Sequence, residues 1–149
     1  MKTLRSFAYA GRGFLGLLRA ETNFRIEMAV AECVFAGLIL LGFPRLITAF
    51  AVLMTGLVLS AEAVNTAVEK ALDALGERRG AIGRAKDAAA SAVLLLAAAS
   101  LVLGVWLAWP LRSELAHRAS QTPVGLILLA MLVALTLFVP AVRSGRGRT

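Results

Sequence analysis

Glu62, Asn65 and Glu69, in the stretch Ser60-Ala61-Glu62-Ala63-Val64-Asn65-Thr66-Ala67-Val68-Glu69, are the residues of this sequence best spaced to do chemistry together. At about 100° per residue on a helix, these three and Asp73 fall within an arc of about 80°. They stand at the end of an apolar run, where an ionised carboxylate costs roughly 2.5–3.5 kcal/mol at the bilayer centre. Polar residues kept at that cost face a bundle interior and do chemistry there; pairing across helices merely to fix a bundle is the structural alternative. One loop later, Gly83-Arg84-Ala85-Lys86-Asp87 brings a cation beside another carboxylate. Acid, amide, acid and then Lys-Asp is a set suited to a nucleotide phosphate and a metal at a membrane surface. Glu21 adds a carboxylate just ahead of the first apolar stretch, with Arg25 one turn later.

The elements that must position these residues follow from hydropathy. The 149 residues leave room for one domain, and a chain that is 59% hydrophobic with mean hydropathy +0.80 reads as a polytopic membrane protein. Four apolar stretches stand out: Met28 to Gly42, Leu46 to about Leu72, Ala88 to Trp109, and Val124 to Val142. About 20 helical residues cross a hydrocarbon core about 30 Å thick, so the last three are long enough. The first reaches that length only if it begins nearer Asn23, which carries Glu27 and Glu32 partly into the membrane. Residues 3–20 alternate apolar positions with Arg5, Arg12 and Arg19, and predict a basic amphipathic helix in the membrane interface, not a signal peptide. The fold class predicted is all-α and integral to the membrane, with this interfacial helix, three spans at about 27–42, 46–72 and 88–109, and a fourth at about 124–142. Assigning alternate connections to opposite sides puts thirteen Lys and Arg on one side and three on the other. The positive-inside rule then makes both termini cytoplasmic and puts Glu69 and Lys86-Asp87 on that side.

Several readings are excluded. The net charge of +7 is spread between the apolar runs, with no basic block interleaved with aromatics, so no nucleic-acid partner is expected. Gly11-Arg12-Gly13-Phe14-Leu15-Gly16 matches a dinucleotide fingerprint but lacks the strand that fingerprint requires. The glycines around residues 76–83 form a loop without a P-loop lysine. Cys33 reads as a small buried hydrophobe and His117 as a solvated side chain in a polar connection. Ala88-Ala89-Ala90-Ser91-Ala92 reads as a small-residue patch for close helix packing.

Three anchors, Glu21-x-Asn23-x-Arg25-Ile26, the Glu62 to Glu69 octapeptide, and Ala85-Lys86-Asp87, resemble the small integral-membrane prokaryotic diacylglycerol kinase and undecaprenol kinase family over about residues 3–110. The resemblance implies a homotrimer with active sites shared between subunits at the membrane surface. Carried over residue by residue, it makes Glu62 the general base and Glu21 and Glu69 the ligands of Mg²⁺. Tyr9 becomes a nucleotide contact, with Asn65, Lys86 and Asp87 around the triphosphate and the reacting hydroxyl. Asn23, Arg25, Glu27 and Ala90, together with Glu62, line the lipid side. Residues 1–112 then form the membrane lipid kinase domain, and 113–149 a linker, the extra helix and a basic tail.

The chain departs from that family in three places. The loop before Lys86 reads Glu77-Arg78-Arg79-Gly80, where Arg78 or Arg79 can meet an ATP phosphate. Ala90 replaces a serine of some relatives, and the fourth span is additional. The function expected is transfer of the γ-phosphate of MgATP to a membrane lipid hydroxyl at the cytoplasmic face of a bacterial inner membrane. Diacylglycerol is the leading acceptor and undecaprenol the alternative; a non-catalytic helical membrane protein is the reading from another class.

Overall fold

The computed structural model describes residues 2–74 and 80–121, and every regular element in them is helical. The order is α1 (Lys2–Ala20), α2 (Thr22–Leu40), α3 (Arg45–Ala74), α4 (Gly80–Ala108), a 3₁₀ turn at Trp109–Leu111, and α5 (Arg112–Gln121). A helix covers the 3–20 stretch. Arg78, Arg79, the expected fourth span at 124–142 and the basic tail lie outside the described residues.

Local chemistry explains the joints. Gly42 has φ of +63°, a left-handed conformation that glycine adopts without a Cβ clash. It lets Gly42 N–H donate to Ile39 O (3.1 Å) and Phe43 N–H to Leu38 O (2.9 Å), the paired bonds that close a helix C-terminus. Pro44 cannot prolong α2, and α3 begins one residue later. At the other end of the chain, Pro110 sits in the first turn of the 3₁₀ segment, where its missing N–H is not needed. The rod that starts at Gly80 therefore runs on into α5.

Two expected connections are corrected by this. Gly80 and Gly83, expected in a loop, lie in α4 together with Lys86 and Asp87, because Ala81, Ala85 and Ala88 favour helix strongly enough to absorb about 1 kcal/mol for one interior glycine. His117 stands on α5 and not in an irregular linker; it is exposed there, as expected, 3.0 Å from the amide of Gln121.

α3 packs along α4 as its main partner, α2 packs on α3, and α1 touches α2. Two helical rods among the described residues, α3 and the one beginning with α4, are long and apolar enough to cross a membrane. The nineteen-residue α2 carries Arg25, Glu27 and Glu32 and is not among them. The burial pattern inverts that of a soluble domain. Among the described residues Phe24, Ala31 and Leu38 form the buried apolar set, whereas Arg25, Glu62, Asn65 and Thr66 are buried polar residues. α4 buries nothing within the chain and turns Leu94, Leu95, Leu101, Val102 and Trp106 outward. That is the arrangement of helices solvated by lipid, which put polar side chains inside and apolar ones outside.

Candidate active site

The site is built at a corner. Glu21 is the single residue between α1 and α2, extended at φ −103° and ψ 117°, and it precedes α2 without a side-chain cap bond. Arg25, one turn into α2, reaches back and donates from Nη1 to Arg19 O (2.9 Å) and Leu18 O (3.3 Å), and from Nη2 to Thr22 Oγ1 (3.0 Å). A cation on the last carbonyls of a helix satisfies acceptors that have no partner within the helix and suits its dipole. Phe24 is 2% exposed and meets Phe14 edge to face, with ring centroids 5.6 Å apart at 81°. Arg25 and the Phe14–Phe24 pair thus fix the direction in which Glu21 leaves the corner. It points to α3, where Lys70 Nζ lies 2.7 Å from its Oε1.

α3 supplies the other wall. Glu62 (5% exposed), Asn65 and Thr66 are its buried residues, all on the polar face read from the sequence or beside it. Taking Arg45 as one membrane surface, Glu62 is about 25 Å along α3 and Glu69 about 36 Å, against a hydrocarbon core of about 30 Å. On helix length alone, a span that began at Arg45 would therefore end between Glu62 and Glu69. Asn65 Nδ2 donates to Glu69 Oε1 (3.0 Å), which orients that carboxylate, while Asn65 Oδ1 is buried without a partner. The charged neighbours of Glu62 are Glu69 and Glu21, and Asn23 hydrogen-bonds to it from α2. Glu27 is the next like-charged neighbour, with Oε2 buried and unpartnered.

Glu21 at the corner, Glu27 on α2 and Glu69 on α3 are thus each electrostatic neighbours of Glu62, with Asn23 and Asn65 bonded to Glu62 and Glu69 respectively. Stability alone does not favour such a set, since packed like charges repel and buried ones lose their hydration. Among the described residues no three acidic, histidine or cysteine side chains form a closed metal cage. Mg²⁺ does not require one, because it is commonly held by one or two carboxylates together with substrate phosphates. Glu21 and Glu69, both electrostatic neighbours of Glu62, are hard oxygen donors of the type such a site uses.

The remaining expected residues are placed as follows. Lys86 pairs with Asp73, at the outer end of the α3 face, and not with Glu62 or Glu69; Asp87 and Ala90 are exposed on α4. Tyr9 is exposed on α1 with the Arg12 guanidinium 4.6 Å from its ring centroid. Arg25, expected on the lipid side, is buried and committed to the α1 carbonyls. Sequence reasoning missed Lys70, Thr66 and the Phe14–Phe24 pair. Lys70 adjoins Glu69, but a lysine at the end of a membrane helix reads as an interfacial charge until its partner is seen.

A sequence profile described as prokaryotic diacylglycerol kinase matches residues 8–108. The chain belongs to that family. It is 33% identical over 107 residues to an undecaprenol kinase of Bacillus subtilis (strain 168), spanning 71% of this chain and 87% of the relative. It is 35% identical over 109 residues to a diacylglycerol kinase of Synechocystis sp., spanning 72% of this chain and 62% of that relative. No solved structure matches it significantly. Family membership makes the chain a membrane-located, ATP-dependent lipid kinase, and the matched region contains all four of these carboxylates.

Proposed function

We propose that this kinase transfers the γ-phosphate of ATP to the hydroxyl of a membrane lipid alcohol at the cytoplasmic face of a bacterial inner membrane. Diacylglycerol, giving phosphatidate, is the acceptor suggested by the family description. Undecaprenol is a second reading, favoured by the match to the Bacillus relative over most of that relative's length. The observation that carries the proposal is the buried Glu62, held among carboxylates and amides with no cation paired to it among the described contacts.

In this reading Glu62 accepts the proton of the lipid hydroxyl as its oxygen attacks the γ-phosphorus. The bond from that phosphorus to the bridging oxygen breaks, and ADP leaves. Asn23 and Glu27 line the approach of the headgroup. Glu21 and Glu69 would hold Mg²⁺, which when bound neutralises charge on the phosphates. Asn65 keeps Glu69 aimed at that position. Lys86 leaves Asp73 to meet the triphosphate, Asp87 orients it, and Tyr9, Arg78 and Arg79 contact the nucleotide. Arg25 supports this constellation through the corner it caps. The homotrimer with shared sites that the family resemblance implies is part of this reading, and cross-linking in detergent tests it.

The test is transfer of labelled γ-phosphate from MgATP in mixed micelles offering diacylglycerol and undecaprenol separately, with Glu62→Gln as control. Transfer to one lipid, lost in the variant, supports the kinase reading and names the acceptor. No transfer to either lipid from folded protein would point to another lipid acceptor or to the non-catalytic reading.

A further inference from the structure

Carboxylates gathered at one place require a counter-charge, and the described contacts show where it comes from. Glu21, Glu27 and Glu69 are each electrostatic neighbours of Glu62. Arg25 is turned to the α1 carbonyls and Lys86 to Asp73. The cation that meets the cluster is Lys70, 2.7 Å from Glu21. Its side chain is 60% exposed and that of Glu21 27%, so the lysine side of the pair stands in water while the carboxylate stands at the corner.

We propose that Lys70 is a displaceable counter-cation of Glu21: it holds the carboxylate when no divalent ion is bound, and passes to a nucleotide phosphate when one is. The proposal rests on the reading of Glu21 as a divalent-ion ligand. An ion pair with one partner well exposed contributes little to stability, so its exchange is not costly. The lysine stem is flexible and its ammonium is a compact charge with three donors that redirect freely. Lys70 stands in the last two turns of α3, at the polar end of the helix, and its exposed ammonium is free to meet a phosphate that approaches Glu21 from water. Lys70 is thus a positioning residue. It competes with whatever cation Glu21 binds.

Manganese supplies a probe that does not depend on turnover. Free Mn²⁺ is followed by electron paramagnetic resonance as it is titrated, without nucleotide, into detergent-solubilised wild type, Lys70→Met, Lys70→Arg and Glu21→Gln. Lys70→Met binds Mn²⁺ about fivefold tighter, the effect expected of removing one competing exposed charge; Lys70→Arg stays near wild type and Glu21→Gln loses the binding. In lipid phosphorylation Lys70→Met raises KM for MgATP more than it lowers kcat. Melting curves check each variant, and Lys70→Gln substitutes if Lys70→Met does not fold. If Glu21→Gln loses Mn²⁺ while Lys70→Met binds no tighter, the Lys70 proposal is overturned and the ligand reading stands. If Glu21→Gln binds Mn²⁺ as wild type does, the ligand reading falls and the proposal with it.

Discussion

Glu62 and Asn65 are buried to nearly the same extent, yet their positions ask different things of them. Asn65 spends its amide on Glu69, an intrahelical contact one turn along α3. Glu62 faces Asn23 and three carboxylates. A general base needs such a place, where an incoming hydroxyl is its natural partner. Glu62→Gln is expected to lower lipid phosphorylation by at least about a hundredfold while ATP binding, followed with a fluorescent analogue, survives; loss of both together would contradict the base role. Asn65→Ala is expected to free Glu69 and raise KM for MgATP with a smaller change in kcat, and an unchanged KM would remove Asn65 from metal positioning. The α3 half of the site was legible in the sequence because spacings of three and four residues on one helix place side chains on one face whatever surrounds them. The α2 half was not. Which side of Arg25 or Glu27 faces α3 depends on the corner at Glu21, and the Arg25 bonds that set the corner are made to backbone carbonyls, which carry no sequence signature.

Helix ends decide how these residues are held. Arg25→Ala removes charge-assisted bonds to three acceptors and leaves the end of α1 unsatisfied, a loss of about 2 kcal/mol, and Phe24→Ala costs about 3 kcal/mol by emptying the packed corner. Both are expected to lower the melting temperature in detergent and to weaken MgATP binding, since Glu21 loses its direction. Retained binding in a clearly destabilised variant would separate the corner from the site. At the opposite end of α2, Gly42→Ala forces a side chain into a left-handed conformation at a cost of about 1 kcal/mol. Its Cβ would also lie 2.8 Å from Arg118 Nη1, whose flexible side chain must give way. This change is expected to lower thermal stability without altering KM, because Glu62 is about 25 Å further along α3. Helix boundaries were the least legible part of the sequence. Glycines at 76, 80 and 83 read as one loop, yet α4 starts at Gly80 because its alanines favour helix more than Gly83 opposes it.

For the molecule as a whole, the question is where the kinase unit ends. Hydropathy alone places that limit at residue 112, where the third apolar stretch gives way to polar sequence. The structure carries the unit further. Arg118 on α5 donates from Nη1 to Leu41 O (3.0 Å) and Gly42 O (2.7 Å), and its other amino group pairs with Glu114 on the same helix. A cation on the carbonyls just beyond α2 does at this end of the bundle much of what Arg25 does for α1 at the other. α5 thus closes the side of the helix set remote from Glu62, through a contact spanning more than seventy residues of sequence. Exposed contacts of this kind are worth about 1 kcal/mol or less, so they tune the unit more than they create it. A chain ending at Gln121 is therefore expected to keep the melting temperature and lipid phosphorylation of the full protein, and one ending at Leu111 to melt a few degrees lower with kcat little changed. Comparison of both truncations by thermal melting and γ-phosphate transfer checks this. Loss of activity on removing residues 122–149 alone would make the fourth apolar stretch part of the catalytic assembly, and equal melting of the two truncations would show that the α5 contact holds nothing.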